Sequence, residues 1–463
     1  MSSLPKGWVE TDFDNVIDSL TNGISDKQNK ESNGIPVSRI ETIADQTINY
    51  SKIGFVDNYD DVKAKKYLLN EGDILFSHIN SPIHLGKTAI FDGRQELFHG
   101  TNLLRIVVNK RVTLSSYFNY YCKFTRAIGA FSLNAQHAVN QSSLNQKKIK
   151  AFSIPLPPLA EQKRIVEKLD EVLAQVDTIK VRLDGIPSLL KRFRQSVLAS
   201  AVSGKLTKEW RGVGSEPFGK QVKLGELLKD GPQNGLYKPS RFYGNGTKIF
   251  RIDSFYDGEL VDWETIKRVD LEEQEVDKYR VNIDDVLVNR VNSIEYLGKC
   301  ALVRELPENA VFESNIMRMS IDTEKALPAF VTTFLRSIVG LQELRKNAKL
   351  AVNQASINQT DVKNCLLYLP KIEEQKEIVR LVDQYFAFAD TIEAQVKKAQ
   401  ARVNNLAQSI LAKAFRGELV PQDPNDEPAD KLLERIAQAR IEAEALAKAA
   451  KKAETARKKA QKV

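Results

Sequence analysis

Two long stretches of the chain carry apolar residues at alternating spacings of three and four, the pattern of an amphipathic helix. The first begins at Leu159, after three prolines, and its stripe is Val166, Leu169, Leu173 and Val176, drifting to Ile179 and Leu183. The second keeps its spacing for four heptads, through Val382, Tyr385, Ala389, Ile392, Val396, Ala399, Val403, Leu406 and Ile410. This pattern predicts two coiled-coil helices that meet along these seams.

Gly185 and Pro187 interrupt the first of these stretches. Both residue types weaken a helix, so we expect the first helix to break or kink there. A helix of about 26 residues, from 159 to 184, is ~39 Å long at 1.5 Å per residue.

Ahead of each helical stretch the hydrophobic pattern changes to short apolar runs that predict β-strands. These runs are residues 73–76 and 103–108 before the first helix, and 285–288 and 316–320 before the second. Residues 115–128 and 328–344 have a helical pattern between them. The predicted fold is therefore α+β, with two α+β domains joined by two long helices.

The chain repeats itself, because AVNQSSLNQKKI at 138–149 returns as AVNQASINQTDV at 351–362. The offset of 213 residues also aligns Glu161 and Gln162 with Glu374 and Gln375. At an offset of 212 residues, GDILFSHIN (72–80) aligns with DDVLVNRVN (284–292). A constant offset over this length indicates a tandem duplication with a pseudo-two-fold axis. We predict variable α+β domains at 1–155 and 213–368, repeated helical regions at 156–212 and 369–421, and a charged, helical or flexible tail at 422–463.

Connectivity predicts the direction of the two helices. The first leads out of one domain into the other, and the second leaves that other domain, so packing them together requires an antiparallel return. We expect the pair to act as a spacer between two heads, because its length is close to the ~34 Å of one DNA turn.

Composition and net charge exclude only a few classes of protein. The 463 residues are 42% hydrophobic, and three scattered cysteines are too few for a disulfide framework or a zinc site. No apolar run approaches the ~18 residues of a membrane span and no signal peptide is evident, so we expect a cytoplasmic protein that does not contact a membrane. Of the net charge of +8, +6 lies in residues 448–463, which read either as a solvated helical extension or as an auxiliary DNA or partner contact.

The loops of both variable blocks are rich in Asn, Gln, Ser, Arg, Lys and His, which can hydrogen-bond base edges or phosphates. Such loops are also commonly just solvated. The DNA-binding candidates of the first block are Asn22, Arg39, Ser77, His78, Asn80, Lys87, Gln136, His137, Asn140 and Gln141. Those of the second block are Asn234, Lys238, Arg251, Asn289, Arg290, Asn292, Lys299, Lys349, Asn353 and Gln354.

The repeated VNQ(S/A)S(L/I)NQ motif stays fixed where base-reading loops should differ. A fixed motif suits a fixed task, either ordering the base of each head or contacting phosphate through its Asn and Gln side chains.

The sequence contains few motifs that would indicate catalysis. The chain has no phosphate-binding G-x-x-x-x-G-K-[ST] loop and no Asn-Pro-Pro-aromatic tetrapeptide of an adenine methyltransferase. All four histidines lie in the first half, which argues against a repeated metal site, and we predict none. We therefore expect a protein that reads DNA without cutting or modifying it.

The chain resembles the specificity (S) subunits of type I restriction-modification enzymes, most closely the enterobacterial A family. The matching stretches are IPLPPLAEQKRIVEKLDEVLAQVD, LKRFRQSVLASAVSGKLT and AQSILAKAFRGELVPQ, together with the opening LPKGW. The resemblance covers nearly the whole chain and is most specific over residues 154–210 and 370–421.

That resemblance implies a bipartite, asymmetric DNA target, with one half read by each recognition domain. The implied partners are double-stranded DNA, two modification (methyltransferase) subunits that dock on the helices, and two restriction (ATP-dependent translocase and nuclease) subunits. S-adenosylmethionine, ATP and Mg²⁺ would belong to those subunits and not to this chain.

One departure from exact repetition is that Pro187 aligns with Gln400, so the two helical regions are not equivalent. The main rival interpretation is a duplicated protein-binding scaffold with a helical spacer, and a lone methyltransferase or nuclease is a further alternative.

Overall fold

A computed structural model describes residues 4–31, 33–57, 59–139, 141–212, 217–256, 258–439 and 441–442. The chain forms two compact units: the first unit is Met1–Arg182 with Ala399–Val463, and the second unit is Leu183–Lys398. Of the helices in these described ranges, none is long and apolar enough to cross a membrane.

The first unit is an α+β domain. Its strands are β1 (Val9–Asp12), β2 (Ile17–Asn22), β3 (Ile35–Val37), β4 (Gly54–Val56), β5 (Ile74–Phe76), β6 (Ile79–Asn80), β7 (Thr88–Ile90), β8 (Leu104–Val108), β9 (Gln136–Ala138), β10 (Gln141–Ser143) and β11 (Ser153–Leu156). Its helices are α1 (Phe13–Val16), α2 (Asp61–Ala64), α3 (Ser115–Ala127), α4 (Ala130–Leu133), α5 (Gln146–Lys150) and the first part of α6 (Leu159–Val202).

The second unit has the same class of fold. Its helices are α7 (Lys208–Arg211), α8 (Glu273–Lys278), α9 (Pro328–Arg336), α10 (Ile338–Arg345), α11 (Gln359–Lys363) and the first part of α12 (Ile372–Phe415). Its strands are β12 (Lys220–Lys223), β13 (Leu228–Asn234), β14 (Tyr243–Phe250), β15 (Phe255–Tyr256), β16 (Glu259–Leu260), β17 (Arg268–Val269), β18 (Val286–Asn289), β19 (Val291–Asn292), β20 (Cys300–Leu302), β21 (Ala310–Phe312), β22 (Ile316–Ile321), β23 (Lys349–Ala351), β24 (Gln354–Ser356) and β25 (Leu366–Leu369).

Sheet topology repeats between the units. The antiparallel sheet β2-β8-β5-β7 has its counterpart in β13-β22-β18-β20, the sheet β6-β10-β9 in β19-β24-β23, and the pair β1-β11 in β12-β25. The register repeats too, since Leu75 faces Arg105 in one unit and Leu287 faces Arg318 in the other. The predicted duplication and the α+β class are confirmed. The sheet β17-β14-β21 corresponds to the pair β3-β4 of the first unit, where a single parallel bridge between Val37 and Phe98 takes the place of the parallel pair β14-β21.

A buried ion pair lies at the same place in each four-stranded sheet. The Arg105 guanidinium is 2.6 Å from the Asp73 carboxylate, and that of Arg318 is 3.2 Å from Asp285. In each pair the arginine lies on an inner strand of the sheet, and the aspartate lies in the turn before the neighbouring strand. Both charged groups are removed from water, so each stabilises the other.

The two long helices pack antiparallel, as predicted. In the first unit Val166, Leu169 and Val176 of α6 share a core with Ile410 and Leu411 of α12. In the second unit Arg194 bonds Asp390 and Glu393, while the later residues 197–202 share a core with Ile378 and Val382. Later residues of α6 thus meet earlier residues of α12.

The seam residues differ in how completely they are covered. Ala389 and Val396 are buried with Val382, and Leu173 and Ile392 are half-buried. Tyr385 remains 40% exposed, with its ring centroid 6.1 Å from that of Phe193. Phe386, the next residue, packs against the core of the second unit instead.

The expectation of a break in the first helix at Gly185 and Pro187 is wrong, while the alternative, a kink, stays a prediction. Helix α6 continues through Gly185 and Pro187 to Val202, giving 44 residues, the same length as α12. Proline removes one backbone hydrogen bond. Because residues 190, 197, 198 and 201 are buried on one face after it, side-chain packing compensates for that loss.

Acid is expected to destabilise the first unit selectively. Burial lowers the pKa of both His78 and His99 to about 4, whereas an unfolded histidine titrates near 6.5. The unfolded chain therefore binds more protons below pH 6.5, and stability falls from that pH down to about 4. At pH 5 each histidine should cost roughly 2 kcal/mol relative to pH 7.

Thermal unfolding of wild type and His99→Gln at pH 7 and pH 5 measures this effect. The variant should lose less stability than wild type on acidification. His84→Gln changes an exposed histidine whose pKa is also lowered, by burial and by Lys87, and it should recover less of the loss than His99→Gln. Equal losses in wild type and His99→Gln would exclude His99 as the acid-sensitive group.

Candidate nucleic-acid interface

The small sheet of each unit brings together polar candidates that are about 60 residues apart in sequence. In the first unit β10 is the central strand, pairing Ser142 with both Asn80 and His137. In the second unit β24 is central, pairing Ala355 with Asn292 and Leu350. The loop that follows β5 or β18 therefore lies beside the hairpin that carries the repeated motif.

Hydrogen bonds within the first unit fix several of these side chains. His137 Nδ1 lies 2.7 Å from Ser142 Oγ, and Nε2 lies 3.0 Å from the Ser132 carbonyl oxygen. Asn80 donates from Nδ2 to Ser77 Oγ at 3.1 Å and accepts from the Ser81 amide at 2.8 Å. Gln136 is exposed on the outer strand β9, and Gln141 is exposed at the start of the central strand β10.

The second unit repeats part of this geometry with different side chains. Asn292 accepts from the Ser293 amide at 2.8 Å, as Asn80 does from Ser81. Lys349 and Gln354 are exposed at the positions of Gln136 and Gln141. The same backbone thus presents an amide and an imidazole in one unit and an ammonium and a leucine in the other.

The fixed motif forms the turn of each hairpin. Val139 and Val352 at the turns are 93% and 91% exposed. Asn353 has a φ of +62°, a left-handed conformation that asparagine adopts more readily than most residues. Asn140, the matching candidate, lies outside the described residues. Buried Ser142 and Ala355 order each hairpin, while its turn is open to a partner.

The residues at the end of β5 and β18 are buried. Ser77 and Asn289 are fully buried, and neither amide atom of Asn289 has a hydrogen-bond partner among the described residues. His78 is buried and neutral at pH 7, because burial lowers its pKa to about 4. Arg290 replaces it in the second unit and donates from its guanidinium to the Ser314 carbonyl at 2.9 Å.

The remaining candidates also occupy equivalent places. Asn22 and Asn234 end β2 and β13, exposed in both units. Arg39 and Arg251 each begin a turn, the backbone amide of each donating to a hydroxyl oxygen, Thr42 Oγ1 or Ser254 Oγ. Lys87 donates to the Ala44 carbonyl, and Lys299 lies 4.3 Å from the Tyr296 ring centroid.

The structure adds residues that sequence reasoning missed. A cleft of 350 Å³ in the second unit is lined by the candidates Lys238 and Arg251 together with Tyr237, Lys267 and Asn315. Tyr237 is 78% exposed. Arg251 bonds Glu313 at 3.1 Å and Lys238 bonds Glu275 at 2.8 Å, so both cations are positioned by carboxylates. The sequence feature that could have indicated this cleft is the aromatic Tyr237 directly before Lys238.

Histidine, cysteine, aspartate and glutamate are the residue types from which metal sites and many catalytic sites are built. Within the described ranges no three His, Cys, Asp or Glu side chains are arranged to hold a metal ion. Cys122, Cys300 and Cys365 are buried thiols, and burial raises the pKa of Cys300 and of Cys365 to about 12. What both units do present is neutral amides and cations on a repeated scaffold.

Comparison with known proteins gives consistent matches over most of the chain. A family profile described as the type I restriction modification DNA specificity domain matches residues 5–188 and 220–400. The type I restriction enzyme EcoKI specificity subunit of Escherichia coli is 35% identical over 432 residues, covering 90% of each chain. The StySPI specificity subunit of Salmonella potsdam is 35% identical over 431 residues, again 90% of each chain.

Two solved structures share the fold. A chain from work on complex assembly and conformational transition of the type I R-M system aligns with a TM-score of 0.62 and 18% identity, over 90% of this chain and 100% of that one. The HsdS subunit from Thermoanaerobacter tengcongensis aligns with a TM-score of 0.54 and 19% identity, over 90% of this chain and 98% of that one.

Proposed function

Because this chain belongs to the type I restriction-modification DNA specificity family, we propose that each of its units reads one half of a two-part duplex DNA target. The observation that carries this proposal is the pair of equivalent polar surfaces around β10 and β24. They share backbone geometry but differ in side chains, at His137 against Leu350 and Gln136 against Lys349. Two readers of that kind fit two different half-sites.

The contacts divide into two classes under this proposal. Exposed amides such as Gln141, Gln354 and Asn234 can pair with base edges, and Lys349 can pair with guanine or with phosphate. Buried Ser77, His78 and Asn289 do not reach DNA in this conformation and would instead shape the loop that does. Base identity is not fixed by residue type alone, because DNA shape also contributes to recognition.

The long helices have a second role in the proposal. Helices α6 and α12 are continuous over 44 residues each and contribute to both units. We assign to them the fixed spacing of the two half-sites and the docking of two modification subunits. Restriction subunits would join that assembly.

Chemistry is assigned to those other subunits. Adenine methylation with S-adenosylmethionine, and cleavage with ATP and Mg²⁺, would take place on the modification and restriction subunits, while this chain selects the site. Its relatives are named specificity subunits, which supports that division of labour.

Binding of the purified full chain to duplex DNA across a salt series tests the proposal. If six or more phosphates are contacted, affinity should fall by about 10³-fold or more between 50 and 200 mM salt. Lys349→Gln should reduce the slope by about one phosphate, and Lys376→Gln, at an exposed position near the start of α12, serves as control. A protein-binding scaffold would show no such salt dependence, and that result would contradict the proposal.

A further inference from the structure

In the first unit, the chain's own C-terminal segment covers a groove at the start of α6. The Ala429 amide donates to the Gly7 carbonyl at 2.9 Å, and Arg164 bonds Asp426 at 2.6 Å. Ala429 is fully buried and Leu432 nearly so. Leu433 and Ile436 of the same helical stretch, residues 429–439, pack against the core that contains Trp8.

The groove itself is built from repeated parts. It lies where β1 pairs with β11 and where two prolines lead into α6, ending at Glu161. Glu161 accepts from Trp8 Nε1 at 3.0 Å and from Gln422 Nε2 at 3.2 Å. The C-terminal segment therefore closes both the apolar floor and the buried carboxylate.

In the second unit the equivalent groove is open. The pair β12-β25, Pro370 and Glu374 take the places of β1-β11, Pro157 and Glu161. Among the described residues only the single turn α7 lies against them, with no counterpart of the helix 429–439, and a cleft of 840 Å³ remains, lined by Trp210, Gly219, Leu369 and Pro370. Trp210 is 51% exposed and Leu369 is half-buried, whereas its counterpart Leu156 is fully buried.

Connectivity explains the difference. After α12 the chain is free to continue into the helical residues 429–439. After α6 it closes on Glu374 through Thr207 Oγ1 at 2.6 Å and through Arg211, and it then enters the second unit's own domain at β12. The four residues between, 213–216, lie outside the described part of the chain. Glu374 is satisfied in this way, whereas Trp210 and Leu369 stay partly exposed within the described part of the chain.

We propose that the open groove of the second unit is the docking site for one amphipathic helix of a modification subunit. This inference rests on the proposed function. The chain's own helix shows the pattern required: a small residue over the groove, as at Ala429, followed by large apolar residues three, four and seven positions later. The groove is lined by charges of both signs, Lys220 and Lys371 beside Glu373, so the match with the incoming helix rests on its apolar pattern.

One consequence is that the two halves of the chain bind modification subunits unequally. The groove of the first unit is already filled by residues 426–436, so only the second unit offers this contact. Two modification subunits would therefore bind with different affinities to the same chain.

Titration of the full chain with modification subunit by calorimetry tests the inference. Trp210→Ala and Leu369→Asp should weaken one of the two binding events by tenfold or more and leave the other unchanged. Tyr368→Asp is the matched control, because Tyr368 is 52% exposed and adjacent residues of a strand point to opposite faces. Added to the wild-type chain, a peptide of residues 421–442 should compete only with the binding event that these substitutions weaken.

The possible results distinguish failure of the groove as a docking site from failure of the proposed function. If Trp210→Ala and Leu369→Asp, with wild-type circular dichroism, bind like Tyr368→Asp, the groove is not the docking site. Trp210→Ala serves the test even where Leu369→Asp fails to fold, since the indole is half exposed. A wild-type chain that binds no modification subunit at all would instead overturn the proposed function.

Discussion

Replacing Arg318 by methionine is expected to destabilise the second unit by about 3–5 kcal/mol. Arg318 is 7% exposed and reaches Asp285 at 3.2 Å, Gln233 at 3.1 Å and Asp230. Burial raises the pKa of the Asp285 carboxyl, and the guanidinium opposes that shift. Methionine fills most of the volume but leaves a buried carboxylate without its cation, which is costly in a medium of low dielectric constant.

Urea unfolding of Arg318→Met and wild type measures this loss. Arg268→Met is the matched control, because the Arg268–Glu308 pair is closer, at 2.6 Å, but lies exposed at the surface, and this variant should unfold near the wild-type midpoint. Equal midpoints for the two variants would contradict a structural role for the buried pair.

The duplication, the α+β class and the family could be predicted from the sequence. Side-chain periodicity predicts helix faces, since Val166, Leu169 and Val382 are buried as their spacing requires. Motif repetition predicts equivalent places for Asn80 and Asn292, and the structure has them in the same register.

Other features depend on tertiary contacts that one-dimensional patterns do not contain. Pro187 predicts an interruption from local chemistry, yet packing of later residues such as Val197 and Leu198 carries α6 past it. Tyr385 fits the heptad, but its neighbour Phe386 packs against the head instead.

The candidate site was predictable in composition and not in exposure. Asn289 and His78 have the side chains of DNA readers but are buried, because strand pairing places them at the end of β18 and beside β6. Covering of the first groove by residues 426–436 was equally invisible, since the contact joins residues more than 400 positions apart.

Exchanging the head of one unit is expected to change one half of the DNA target completely. Residues 13–152 carry the polar surface around β10 and also α3, which contacts α6 through Tyr120 and Asp170 and α12 through Tyr117 and Phe415. The donor head must therefore carry the same residues at these contacts, while β1, β11 and the groove residues remain in place. Because the second unit has its own core and its own surface around β24, its half-site should not respond. The reciprocal exchange of residues 224–365 is the matched experiment.

Sequencing of methylated adenines in DNA from cells that express each exchanged chain with its modification and restriction subunits tests the central claim most directly. We expect the 13–152 exchange to alter one half-site and the 224–365 exchange to alter the other, with the gap between the half-sites unchanged in both. A single exchange that alters both half-sites, or that alters neither while methylation persists, would contradict two independent readers on one chain.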